Sequence, residues 1–206
     1  MQYPQSVRPT WMLRRVLLPA FLSSATILTG ALAVPSSATA APSRPESRSE
    51  IVAELGRAAS TPAQLQRQVD LQLKLAPGGR QTAANEVSYA GRRFVVTFAE
   101  PGAVKLAAAA DCPSGWFCFY DNVNFGYPRG KLSSPDWQDL SWWGWQDRTE
   151  STHNNTGKNV TYLGHYDAGN TGNGHRLDVP FWVDAPYSAR ASVSPRNAAD
   201  HVNRAY

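Results

Sequence analysis

The spacing of apolar residues changes along the chain, and each change marks a different kind of structure. Leu65, Val69 and Leu73 recur every four residues, one stripe down a helix. The Thr61 hydroxyl followed by Pro62 is a start signal for that helix, and Pro77-Gly78-Gly79 is its stop. A shorter helical pattern precedes it near "SEIVAELGRAA". The period then falls to two. In "NEVSYAGRRFVVTF", Val87 and Tyr89 alternate with polar residues, Ala90-Gly91 turns the chain, and residues 94–98 form a second, more apolar strand. This predicts a β-hairpin. Pro101-Gly102 and the alanines at 107–110 read as a linker. Beyond Asp111 helical spacing disappears. Short runs such as "WFCFYD", "RGKLS", "NVTYLGHYD" and "HRLDVPFWV" alternate with Gly, Asn and Pro clusters, which predicts an all-β sandwich or barrel.

Within this all-β region a single turn is written twice. "CFYDNVNFG" places Tyr120, Asp121, Asn124 and Gly126 in an outline that returns 46 residues later as Tyr166, Asp167, Asn170 and Gly172. A repeat of that length within residues 111–206 means two copies of one supersecondary unit. Each copy has room for about four short strands, which is a Greek key. Two stacked keys bury one face of each sheet, so the expected fold is a double Greek-key sandwich with repeats at about 111–157 and 158–206.

The remaining segments set the context. Arg8, Arg14 and Arg15, an apolar run from Val16 to Val34 and the small residues Ala38-Thr39-Ala40 have the layout of a secretory signal peptide over 1–40. Residues 41–110, with the helix and hairpin, then form a leader: a pro-region, a packing extension or an independent module. Without residues 1–40 the formal charge falls from +4 to +1, and no basic face points to nucleic acid. The expected product is a secreted extracellular monomer with no membrane association once the signal is cleaved. Cys112 and Cys118 are the sole cysteines, and in an exported chain such a pair reads as a disulfide.

"CPSGWFCFYDNVNFG", followed by "LSWWGWQDRTESTHNNTG", resembles the secreted actinobacterial peptidase-inhibitor family typified by the Streptomyces metalloproteinase inhibitor. The resemblance is stronger over 111–157 than over 158–206. It implies a βγ-crystallin-like fold and a proteinaceous inhibitor, of metallopeptidases first, acting by reversible tight binding on a secreted and thermolysin-like enzyme. Two departures stand out. Tyr127 occupies a place where the crystallin-type hairpin has glycine, and Thr171 and Asn173 replace the aromatic and glycine of the second copy.

Candidate chemistry is sparse. No nucleophile elbow, His-Glu-x-x-His helix or phosphate loop is present, so the chain reads as no enzyme and needs no cofactor. For an inhibitor the contact loop matters most. Asn124, Phe125, Gly126 and Tyr127 are the first candidate, and "GNTGNGH" is the second. Trp142, Trp143 and Trp145 offer an aromatic surface for wall glycan, the basis of an alternative structural or glycan-binding reading; packing between the keys is the favoured role, with one ring left exposed. A killer-toxin-like secreted protein is a further alternative. "QDRTES" departs from a crystallin-type calcium motif but keeps Asp147, Glu150 and Ser151 as oxygen donors for a weak calcium site. Its second-copy counterpart, Asn197 to His201, is poorer. His153, His165, His175 and His201 are scattered and read as solvated loop histidines.

Overall fold

The computed structural model describes residues 46–89, 94–103, 109–165 and 178–206. The signal segment and the second repeated turn, with Tyr166, Asp167, Asn170, Thr171, Gly172, Asn173 and His175, lie outside the described residues.

Two helices open the described chain. Helix α1, Arg48–Leu55, begins at a reciprocal cap in which Ser47 and Glu50 satisfy one another's backbone N–H groups. Helix α2, Pro62–Leu75, starts where the sequence places it, with the Thr61 hydroxyl accepting from the Gln64 N–H. Its apolar stripe buries Leu65 and Val69, while Leu73 packs at the core margin. Three strands follow as a meander: β1 Gly79–Ala83, β2 Glu86–Tyr89 and β3 Phe94–Thr97. The expected hairpin is β2–β3, with Tyr89 opposite Phe94. Strand β1 escapes sequence reading because "GRQTA" carries no apolar alternation; it is a largely exposed edge strand.

Eight further strands form the double key. They are β4 Phe117–Asn122, β5 Gly126–Leu132, β6 Asp136–Asp139, β7 Ser151–Asn154, β8 Val160–Gly164, β9 Val179–Asp184, β10 Ser188–Arg190 and β11 His201–Arg204. One sheet runs β1-β2-β3-β5-β4-β7-β10 and the other β6-β11-β8-β9, with antiparallel pairing throughout. In the first key β4, β5 and β7 stay together while β6 crosses to the other sheet. In the second, β8, β9 and β11 stay together while β10 crosses back. The exchange of third strands makes two copies of one unit into a single sandwich.

The described residues before Asp111 are built onto this sandwich. Strand β3 hydrogen-bonds along β5, with Val96 opposite Gly130, and residues 44–206 form one compact unit. Phe94 of β3 stacks on Trp143 at 4.5 Å and on Phe119 at 5.9 Å between ring centroids, so the core is continuous from the meander into the first key. Gly130 permits this approach, since a Cβ there would lie 2.4 Å from the Phe119 ring. Helix α2 docks on the 3₁₀ turn Leu140–Trp143, where the Gln72 amide donates to the Trp143 carbonyl at 2.8 Å. Gly144 ends that turn in the left-handed region, directly beneath Leu75. Arg148 is fully buried between the layers. It pairs with Asp121 at 2.9 Å and lies over the Trp145 ring at 4.3 Å. Burial raises the Asp121 carboxyl, and the Arg148 guanidinium offsets some of that rise.

Candidate functional site

The first repeated turn, residues 123–125, joins β4 to β5 and is fastened from both keys. Asn124 and Phe125 sit in succession in the left-handed region, at φ 54° and 60°. Such geometry costs of order 1–3 kcal/mol per residue and persists only where the surroundings impose it. Here they do. The Phe125 N–H donates to the Ser151 hydroxyl at 3.0 Å, and that hydroxyl donates onward to the Asn122 carbonyl at 2.7 Å. The Asn124 N–H donates to the Ala191 carbonyl at 2.7 Å, just beyond β10 of the second key. The Asn122 amide donates to the Tyr127 carbonyl at 2.8 Å and closes the base of the turn. Within the candidate loop Asn124 is the exposed tip, while Phe125, Gly126 and Tyr127 are half-buried. Phe125 packs edge-on against Tyr120 at 5.6 Å.

Below the turn a polar knot ties the opening of the domain to the sheet. Cys112 and Cys118 form a disulfide, which holds the stretch before β4 across the outer face of the sheet. Asp111, its neighbour, accepts from both the Tyr120 and Tyr127 hydroxyls and pairs with Arg129 at 2.8 Å. Burial pushes the Asp111 carboxyl up, but the two hydroxyls and the guanidinium outweigh it, and its pKa lies below the ordinary value. Both tyrosines are raised, by burial first and then by Asp111. His153 accepts the Cys112 N–H through Nδ1 at 3.0 Å; burial lowers its pKa, consistent with that acceptor role. Tyr127, a departure from the crystallin-type pattern, therefore anchors the loop through its hydroxyl.

The other sequence candidates divide. Trp143 and Trp145 belong to the core, and Trp142 alone of the three is exposed, at 41%. An aromatic surface made of all three rings does not exist, because the 3₁₀ turn points Trp143 and the residue after Gly144 inward. Among the calcium candidates, Ser151 is fully buried and spends its hydroxyl on the turn. Glu150 accepts from the Asn197 amide at 2.7 Å and faces Arg196 at 3.7 Å. Asp147 is exposed as a residue, but partial covering of its carboxyl and then Asp200 raise its pKa, and Arg48 of α1, which donates to the neighbouring Gln146 carbonyl at 3.1 Å, lowers it. The histidines depart from expectation. His201 is fully buried and meets His165 and Asp178 at one end of the second sheet. That grouping is invisible in the sequence because its members lie 13 and 23 residues apart and meet only through strand pairing.

Fold and site together define a class: a βγ-crystallin-like double Greek key with a braced hairpin turn, stapled by a disulfide. Residues 105–177 match the model of peptidase inhibitor family I36. That stretch holds the first key and the turn, so the resemblance carried by "CPSGWFCFYDNVNFG" is to this family, over about a third of the chain. No curated protein matches the chain in sequence. Among solved structures it is similar to a chain described under the evolution of the eye-lens βγ-crystallin domain fold, at 17% identity, covering 48% of this chain and 93% of that one, with TM-score 0.37. It is similar to a double mutant of a βγ-crystallin domain from Clostridium beijerinckii, at 17% identity over 43% and 94%, with TM-score 0.32. Spherulin 3a from Physarum polycephalum follows at 18% identity over 48% and 90%, with TM-score 0.33. The strand order, rather than these overlaps, carries the fold assignment. No helix among the described residues is long and apolar enough to cross a membrane, and the disulfide fits an oxidising, extracellular setting.

Proposed function

We propose that the protein is a secreted inhibitor that blocks a metallopeptidase, thermolysin-like by the resemblance, through reversible tight binding of the turn at 123–127. The observation that supports this reading is the bracing of a strained turn with an exposed tip. Asn124 projects, while Phe125 and Tyr127 and the turn's backbone donors are engaged inward. A loop ordered before binding loses little further entropy when it docks, which is what tight inhibition needs. Two successive left-handed residues cannot lie as an extended strand in a peptidase cleft, so the turn blocks the enzyme without being presented as a substrate strand. A standard inhibitor contact buries on the order of 1,600 Å² in total, within reach of a domain this size.

The glycan-binding alternative keeps only Trp142 on its surface and is the weaker reading. The test is a stoichiometric assay of the secreted chain against a panel of metallo-, serine and cysteine peptidases. Reversible, saturable loss of activity of at least one metallopeptidase at micromolar protein or below supports the proposal. Folded protein that inhibits none of the panel removes it and returns attention to surface binding.

A further inference from the structure

We propose that His165, Asp178 and His201 form a binding site for a divalent transition-metal ion of the zinc class. The three come from adjacent strands at one end of the second sheet. His165 follows β8 directly, Asp178 immediately precedes β9, and His201 is the first residue of β11, opposite Leu163 of β8. His165 Nδ1 lies 3.4 Å from Asp178 Oδ1, His201 Nε2 lies 3.5 Å from Asp178 Oδ2, and the two ring nitrogens lie 3.5 Å apart. These separations are long for hydrogen bonds, which centre near 2.7–3.2 Å. The two carboxylate contacts use different oxygens of Asp178, and with one donor atom per residue the three lie within 4.8 Å of one another, close enough for an ion to draw them together. Ligands about 2.0–2.1 Å from a tetrahedral zinc stand about 3.3–3.4 Å from one another.

The surroundings fit the same reading. Two imidazoles and one carboxylate are a donor set that zinc accepts and calcium does not favour. His201 turns its other nitrogen, Nδ1, toward the Asp139 carboxylate of the neighbouring strand β6 at 3.9 Å. That separation is beyond hydrogen-bond reach, so Asp139 acts on the imidazole only as a nearby negative charge. The Trp137 ring lies against His201 at 4.5 Å and fixes its plane. Asp178 and His201 are almost fully shielded, while His165 is about one-fifth exposed, which leaves a path for the ion from the His165 side. The consequence is mechanical. The first key is stapled by Cys112–Cys118, and no further cysteine exists to staple the second. An ion here ties the ends of β8, β9 and β11 together in place of a covalent link.

The experiment uses the full secreted chain, stripped with chelator and titrated with zinc alone and with cobalt alone. The expected result is saturation at one ion per chain, visible cobalt absorption of tetrahedral intensity that zinc displaces, and a melting temperature raised by several degrees at saturating zinc. His165→Asn should abolish the cobalt absorption and weaken zinc binding at least about a hundredfold. His153→Asn, outside the cluster, should leave the ion bound. If His165→Asn fails to fold by circular dichroism, Asp178→Asn replaces it. Absence of one-to-one zinc uptake by the unaltered protein, or unchanged zinc affinity in a folded ligand variant, overturns the proposal.

Discussion

At the scale of single residues, Asp111 carries more connections than any other group near the candidate loop. It joins the Tyr120 and Tyr127 hydroxyls to Arg129, and through Tyr127 it fixes the exit of the turn. Asp111→Asn should lower stability by about 1–2 kcal/mol, the range for charge-assisted bonds reduced for partial solvent exposure. The pH dependence has a definite sign. The folded-state pKa of Asp111 is lowered, so its contribution is present above the unfolded value of about 3.9 and is lost as pH falls through the folded value. Melting curves of the two proteins should therefore differ at pH 7 and converge toward pH 3; an equal gap at both pH values would show that the carboxylate charge is not what matters. What the sequence discloses at this scale follows chemistry that is local. Cys112 and Cys118 can be paired because they lie six residues apart in a chain whose first forty residues read as an export signal. The burial of Trp145 under Arg148 and the meeting of His165 with His201 cannot be read, because each depends on which strands become neighbours.

At the scale of elements, helix α2 and the hairpin β2–β3 are legible because capping and periodicity are local signals. Strand β1 and the pairing of β3 with β5 are not, since an exposed polar edge and a long-range partner leave no periodic trace. The pairing has a consequence for the 41–110 segment. A chain beginning at Asp111 would expose the β5 edge and remove Phe94 from its stack with Trp143 and Phe119. Bare edges of this kind pair with other chains. Such a fragment should melt at lower temperature and associate on gel filtration, whereas a monomeric fragment with unaltered melting would mean the segment is dispensable. The loops at 146–150 and 197–200 meet as elements too: Arg196 faces Glu150, and Arg48 donates to the Gln146 carbonyl close enough to Asp147 to lower its pKa. Those groups supply the positive charge a calcium ion would bring, so melting should be the same in millimolar calcium and in EGTA. A rise of many degrees with calcium would contradict this; EGTA also removes zinc, so the comparison is made on protein already stripped of metal, which leaves the histidine cluster empty in both arms.

For the whole molecule, the repeated turn announces the double key, and the strand exchange between sheets explains why the two copies need one another. The same architecture brings the second key's Ala191 carbonyl and the first key's Ser151 hydroxyl onto one turn. The central claim is that this braced turn is the contact with a peptidase. Asn124 tests it most directly, being exposed at the tip while its backbone alone holds the fold. Glycine at this left-handed position keeps the backbone geometry free of strain, so Asn124→Gly should change the melting temperature by no more than a few degrees. The inhibition constant against a metallopeptidase that the unaltered chain inhibits should rise at least about tenfold, the loss of roughly 1.4 kcal/mol of contact energy. An inhibition constant unchanged in the folded Asn124→Gly protein would place the contact elsewhere on the molecule and contradict the account.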